Sequence, residues 1–239
     1  MVEGLVGKNM PVNIQCIILA RGGSKGILNK NIINFCGKPL LAWTIDQCIG
    51  AKKVSDVWVS SDDDEILKVA EKYGAKIIKR PVEISLDSST SESAWQHAID
   101  YLHNNDFQVD IVLGPQVTSP LREVSDIDNA INSFINENYD SMFSASIADD
   151  LFFWEKSSVG IDSINYDYKN RKRRQDFKEQ IIENGSFYLF KPAIIQKEFN
   201  RLGGKIGYSI MDFWKMFEID NADDLRMCSA LMKEFLIKA

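Results

Sequence analysis

Over the first 145 residues, short apolar runs alternate with stretches in which apolar positions recur every three or four residues. The run Ile14–Leu19 predicts a buried strand, and Leu40–Ile49, entered after Pro39, predicts a helix. Val57-Trp58-Val59 reads as a strand ending at Ser60-Ser61-Asp62. Ile66, Val69, Ala70 and Tyr73 then fall at helical spacing, and Gly74 stops that helix. Lys76–Lys79 predicts a strand leading into Arg80-Pro81. Trp95, Ala98, Ile99 and Leu102 mark another helix, followed by the short strand Ile111-Val112-Leu113. A further helix carries Ile127, Ala130, Ile131 and Phe134, and Ser141–Ala145 predicts a strand. Strands separated by helices of this length imply βαβ units, hence an α/β fold with a mainly parallel sheet.

The alternation breaks between residues 147 and 182, where aromatic and charged residues show weak periodicity. Such an excursion from a parallel sheet is expected to form a subunit contact or a lid. Strand character returns at Ser186–Phe190. Ala222–Ile237 predicts an amphipathic helix with Leu225, Cys228, Met232, Phe235 and Leu236 on one side. One domain is expected over residues 13–239, with residues 1–12 as a flexible N-terminal extension in which Met10 is an alternative start.

Composition narrows the partners. With 45% hydrophobic residues the chain can bury a sizeable core. Its net charge of −6 argues against non-specific nucleic-acid binding, which relies on a basic field. No apolar stretch approaches the ~20 residues of a membrane helix, and the N-terminus lacks signal-peptide features. Cys16, Cys36, Cys48 and Cys228 show no CxxC spacing, so free thiols in a reducing cytoplasm are expected. His97 and His103 would point about 240° apart on a helix, so they cannot form a one-face metal pair. Any metal would be held by carboxylates, which favours a hard ion such as magnesium.

Five segments could carry chemistry. Directly after the first strand comes Ala20-Arg21-Gly22-Gly23-Ser24-Lys25-Gly26-Ile27-Leu28-Asn29-Lys30-Asn31. Its glycines let the backbone approach a ligand, and its three cations suit a polyphosphate, although a solvated turn has similar composition. The second is Arg80-Pro81 with Asp87-Ser88-Ser89-Thr90-Ser91-Glu92, where helix capping and anion binding are compatible. The third, Gln116-Val117-Thr118-Ser119-Pro120-Leu121-Arg122, is a turn before a helix in which Gln116 and Arg122 stand out. The fourth is Arg173-Arg174-Gln175-Asp176 with Glu183-Asn184-Gly185-Ser186-Phe187-Tyr188, either a solvated basic run or a site for a carboxylate or phosphate. The fifth is Phe217-Glu218-Ile219-Asp220; if extended, it points two carboxylates to one side, and capping of the last helix by Asp220 or Asn221 is the other account.

Taken in this order, the segments resemble the CMP-sialic acid synthetase family, the acylneuraminate cytidylyltransferases or CMP-nonulosonate synthetases. Ala20–Asn31 matches the family's first motif, and the resemblance extends from about Asn13 onward. It implies a single Rossmann-like nucleotidyltransferase domain with a dimerisation insertion. The implied reaction transfers CMP from CTP to the anomeric hydroxyl of a nine-carbon 2-keto-3-deoxy acid sugar, releasing pyrophosphate. By resemblance, Arg21 and Lys25 act on the reacting phosphates, and Ser24, Lys30 and Asn31 line the nucleotide region. Arg80 and Ser91 would contact the cytidine portion. Gln116, Arg174 and Tyr188 would hold the sugar, with Thr118, Ser119, Gln175 and Asn184 beside them. Mg2+ would sit on Asp220, with Glu218 as the second ligand. A homodimer is implied, with residues 147–174 reaching towards the partner.

Two departures from the family pattern matter. Glu218 replaces the usual first Asp of the metal motif, and its extra methylene leaves room for a water-mediated contact. Where some bacterial members place an aromatic pair on the sugar, this chain reads Asn200-Arg201-Leu202-Gly203-Gly204. The acid sugar is therefore open among sialic, legionaminic, pseudaminic, deaminated neuraminic and Kdo-type substrates. A catalytically silent nucleotide-binding dimer is the alternative from outside the enzymes, and the intact Arg21/Lys25/Lys30 loop argues against it.

Overall fold

Ile14–Leu19 (β1) is apolar at every position except Gln15 and Cys16, and it is covered on both faces as a central parallel strand requires. A computed structural model describes residues 12–24, 26–148, 151–176 and 179–237. After β1 come a small hairpin of Asn34–Phe35 (β2) and Lys38–Pro39 (β3), then helix Leu40–Gly50 (α1) and strand Val54–Ser61 (β4). Asp64–Lys72 (α2), Lys76–Lys79 (β5), Ser91–Asn104 (α3), Ile111–Pro115 (β6), Val124–Asn136 (α4) and Ser141–Ile147 (β7) continue the alternation. An outlying hairpin, Trp154–Ser157 (β8) and Gly160–Ser163 (β9), precedes the long strand Ile181–Phe190 (β10). The described chain closes with Pro192–Glu198 (α5), Ile206–Ile210 (β11) and Ala222–Leu231 (α6), which runs on as a π-helical turn at Met232–Leu236.

Seven strands form one sheet in the order β11-β7-β10-β6-β1-β4-β5. Six run the same way; β10 alone is antiparallel to both of its neighbours. The expected α/β fold with a mainly parallel sheet is what forms. Alternate residues of β1 feed opposite layers, as a strand's twofold repeat demands. Cys16 and Ile18 join Leu41, Ile45, Val59 and Ile131 on one face, while Ile17 joins Trp58, Trp95, Ile99 and Phe190 on the other. The buried amide of Gln15 is satisfied by donating to Gln108 O at 3.2 Å and accepting from Trp58 Nε1 at 2.9 Å.

Several elements exceed or escape the sequence expectation. β4 is longer than Val57–Val59 because it pairs with β1 on one side and β5 on the other. α5 and β11 have no counterpart in the expected pattern. β11 is an edge strand whose Ile206, Tyr208 and Ile210 are exposed, so its alternation does not mark a core face. The last helix begins with Asn221, not Asp220, as its cap: the Asn221 side chain accepts from Asp223 N and Asp224 N. Asp220 thereby stays available for other work.

The irregular stretch is the connection between antiparallel partners, since Ile147 pairs with Ile181 at the end of β7 and the start of β10. Its aromatics pack on each other: Phe152 against Tyr166 at 4.4 Å and Trp154 against Tyr168 at 5.3 Å between ring centres. Phe153, Val159 and Ile161 remain exposed. All four cysteines are free thiols. Among the described residues no helix is long and apolar enough to cross a membrane.

Candidate active site

Four neighbouring parallel strands, β6, β1, β4 and β5, deliver their carboxyl ends to one edge of the sheet. There the order switches direction between β1 and β6, the place where open α/β sheets bind ligands. The loop after β1 enters first. Gly22 N donates to Asp62 Oδ1 at 3.0 Å, which ties this loop to the end of β4. The side chain of Asn31 donates to Arg21 O at 2.9 Å and closes the loop on itself. Lys30 Nζ reaches Asp220 Oδ1 at 2.9 Å, although 190 residues separate them. Lys25 lies outside the described residues.

A cleft of about 270 Å³ opens beside this loop, lined by Arg21, Arg80, Ser85, Asp87, Ser89, Thr90 and Ser91 among others. Arg80 is buried; its Nε donates to Ser85 Oγ at 2.9 Å, and Ser85 in turn donates to Pro81 O. Burial lowers the Arg80 pKa from its ordinary value, and the charge of Arg21 pushes the same way against the attraction of Asp62. Two guanidinium groups held this close favour an anion between them. Arg21 meanwhile pairs with Asp87 at 2.7 Å. Thr90 caps α3 by accepting from Ser93 N, so the Ser-rich turn serves as cap and as cleft wall together.

A second cavity of about 240 Å³ shares Leu19 and Ser91 with the first and adds Asn31, Trp95, Pro115, Gln116, Val117, Thr118 and Arg201. Gly114 makes room for its indole wall, because a Cβ there would stand 2.6 Å from the ring of Trp95. The antiparallel β10 returns residues 184–188 to this end of the sheet, with Phe187 paired to Pro115 and Tyr188 to Gly114. The 116–122 turn is held by Arg122, whose guanidinium is fully buried. It donates to Ser186 Oγ, Thr44 Oγ1, Gln47 Oε1 and the carbonyl oxygens of Gln116, Ser119 and Ser186. Arg122 is thus a clamp and does not face a ligand.

Several expected sugar ligands line neither cavity. Ser119 is wholly buried, so its hydroxyl cannot line the cavity. Asn184 donates to Ser146 Oγ at 3.1 Å and accepts from Ser186 N, which shapes β10. Tyr188 is buried against Trp95, its hydroxyl donates to Glu183, and burial with that carboxylate raises its pKa strongly. Gln175 is exposed and lines neither cavity. Arg174 begins a 3₁₀ turn, but its side chain lies outside the described residues. Asp62, Asp87 and Arg201 were given no site role by sequence, although Asp87 and Arg201 fall within quoted segments, because each acquires its role only through contacts distant along the chain.

Glu218 and Asp220 do not lie in a sheet strand; their segment is fixed by Ile219 N donating to Thr118 O at 2.8 Å. The two carboxylates still interact, since burial first and then the charge of Asp220 raise the Glu218 pKa, while Lys30 and Thr118 oppose that rise. Among the described residues no group of three His, Cys, Asp or Glu could hold a metal. A pair of hard oxygen donors, one of them held back from ionising, nevertheless suits a divalent cation completed by ligand or water oxygens. Gly26 sits against this pair: a Cβ there would stand 2.3 Å from Asp220 O. Gly26→Ala is therefore expected to push the loop off Asp220 and lower turnover by about 10²-fold while the melting temperature barely moves. Parallel kinetics and thermal melts check this.

A glycine- and cation-rich loop at the switch point of a mainly parallel sheet, beside two adjoining clefts, defines an α/β protein with a ligand site of the open-sheet kind. The cytidylyltransferase family profile matches residues 15–203, and the chain belongs to that family. It is 37% identical over 200 residues to an N-acylneuraminate cytidylyltransferase of Oncorhynchus mykiss, covering 82% of this chain and 45% of that relative. It is 36% identical over 181 residues to a pseudaminic acid cytidylyltransferase of Campylobacter jejuni, covering 73% of this chain and 76% of the relative. A solved CMP:2-keto-3-deoxy-manno-octonic acid synthetase complexed with CTP superposes with a TM-score of 0.71 at 15% identity, over 94% of this chain and 100% of that one. The chain spans about half the length of the fish relatives it matches.

Proposed function

We propose that the chain is a cytidylyltransferase that transfers CMP from CTP to the anomeric hydroxyl of a sialic-acid-like 2-keto-3-deoxy acid sugar, with release of pyrophosphate. What carries this reading is the pair of adjoining clefts at the switch point, one rich in guanidinium groups and one largely neutral and aromatic. CTP occupies the first, with Arg80 and Ser91 at the cytidine portion and Arg21, Ser24 and Lys25 at the phosphates. Asn31 borders the second, where Gln116 and Thr118 orient the sugar, and Lys30 stands beside Asn31 in the loop. The acceptor hydroxyl forms a bond to the α-phosphorus as the bond to pyrophosphate breaks. Catalysis then rests on positioning and on cations that meet the charge building on the leaving group.

Glu218 and Asp220 would hold Mg2+, which supplies charge neutralisation at the phosphate oxygens when bound. Lys30 keeps the Asp220 carboxylate oriented. The exposed aromatic hairpin β8–β9 supports a homodimer built through the 147–182 excursion.

The test is pyrophosphate release by the purified protein with CTP and magnesium, offered sialic, legionaminic, pseudaminic, deaminated neuraminic and Kdo sugars in turn. Turnover with at least one nine-carbon acid sugar is expected. CTP binding with no release for any sugar would instead make the chain a nucleotide-binding protein without this activity.

A further inference from the structure

Arg201 follows α5 in a segment pinned to β7, where Gly203 N donates to Ser141 Oγ at 2.9 Å and Ser141 Oγ donates to Gly203 O at 2.8 Å. Its guanidinium lies 4.7 Å from the ring centre of Tyr188 and 5.1 Å from that of Trp95. Glu92, in the first turn of α3, accepts from Arg201 Nε at 2.8 Å. These three contacts fix the plane of the group, and only 24% of the side chain is exposed.

The Glu92 bond uses Nε alone. No hydrogen bond runs from either Nη group to a described residue, so two parallel N–H vectors remain for a ligand. Among the described residues Arg201 is also the only ionic side chain lining the second cavity, whose other walls are Leu19, Asn31, Ser91, Trp95 and the 115–118 turn. A single oriented cation in neutral, aromatic surroundings gives charge selectivity, and a guanidinium edge suits a carboxylate bidentately.

We propose that Arg201 recognises the carboxylate of the acid-sugar substrate and so sets the requirement for an acidic acceptor. This rests on the cytidylyltransferase reading above. Glu92 orients the guanidinium and at the same time opposes the incoming anion, which gives the two residues opposite signs in a test.

Steady-state kinetics of Arg201→Gln, Arg201→Lys and Glu92→Gln are measured with whichever acid sugar the wild-type protein accepts. Arg201→Gln is expected to raise the sugar KM by about 10- to 100-fold, the loss of a charged hydrogen-bonded contact, with the CTP KM unchanged. Arg201→Lys should recover part of that loss. Glu92→Gln keeps an acceptor for Nε but removes the competing charge, and it should lower the sugar KM. Competition with the C1 carboxamide of the same sugar adds a readout that a structural role would not move. Wild type should prefer the carboxylate, and Arg201→Gln should lose that preference. An unchanged sugar KM in Arg201→Gln, or equal weakening towards carboxylate and carboxamide, overturns the proposal. Wild-type protein that releases no pyrophosphate with any sugar overturns the enzyme reading and this proposal with it, and is distinguishable because the unmutated chain is itself silent.

Discussion

Asp220→Ala is expected to lower kcat by about 10³-fold and to resist rescue at any magnesium concentration. The Asp220 carboxylate is the partner of Lys30, its backbone lies against Gly26, and its charge bears on Glu218. Removing it leaves Glu218 alone to hold a cation and leaves Lys30 without its anchor. Stability should change by less than about 0.5 kcal/mol, because the side chain is largely exposed and does not cap α6. Pyrophosphate release across a magnesium titration, alongside a thermal melt, separates the two quantities. Turnover within tenfold of wild type would remove Asp220 from the chemistry.

Arg122→Met is expected to cost about 3–5 kcal/mol of folding free energy, measured by urea denaturation. Burial lowers the pKa of this guanidinium, yet an arginine stays charged and has to be solvated from within. The protein does so with carbonyl and hydroxyl oxygens; no carboxylate of a described residue comes within ion-pair distance. Methionine fills much of the volume but takes a donor from three carbonyl oxygens; Gln116 O and Ser186 O keep the backbone N–H groups of Ser119 and Gln116, and Ser119 O loses its partner. It should also loosen the 116–119 turn against Ser186, which then rests on the Gln116 N to Ser186 O bond alone, so activity falls even in the folded fraction. A loss below about 1 kcal/mol would mean that water or the Gln47 side chain takes over these acceptors.

Much of the architecture was legible because it follows from periodicity. The central strands β1 and β6 are near-continuous apolar runs, and the stripes of α3 and α4 bury the residues their spacing marked. The ligand-facing loops were legible because glycines, cations and hydroxyls directly after a strand have few other uses. What stayed hidden depends on long-range contact. Arg122 could not be sorted into clamp or ligand, since its partners on α1 and β10 lie far along the chain. Arg201 meets Glu92 across 109 residues; its stretch stood out for lacking an aromatic pair, and nothing local announces the ion pair. Asn184 and Tyr188 looked like ligands within their motif, but β10 turns both towards neighbours of its own. α5 is only seven residues long and β11 exposes its apolar side, so neither gave a periodic signal.

The reversal of β10 has a consequence for how this protein can vary. β7 finishes, and β10 begins, at the same edge of the sheet that receives the loops after β1 and β6. The described residues between Ile147 and Ile181 are therefore spliced in at that edge, outside the seven-stranded register. Residues can be added, lost or exchanged there without shifting one strand pair. The excursion is a replaceable part, and the sheet it leaves from need not notice the exchange.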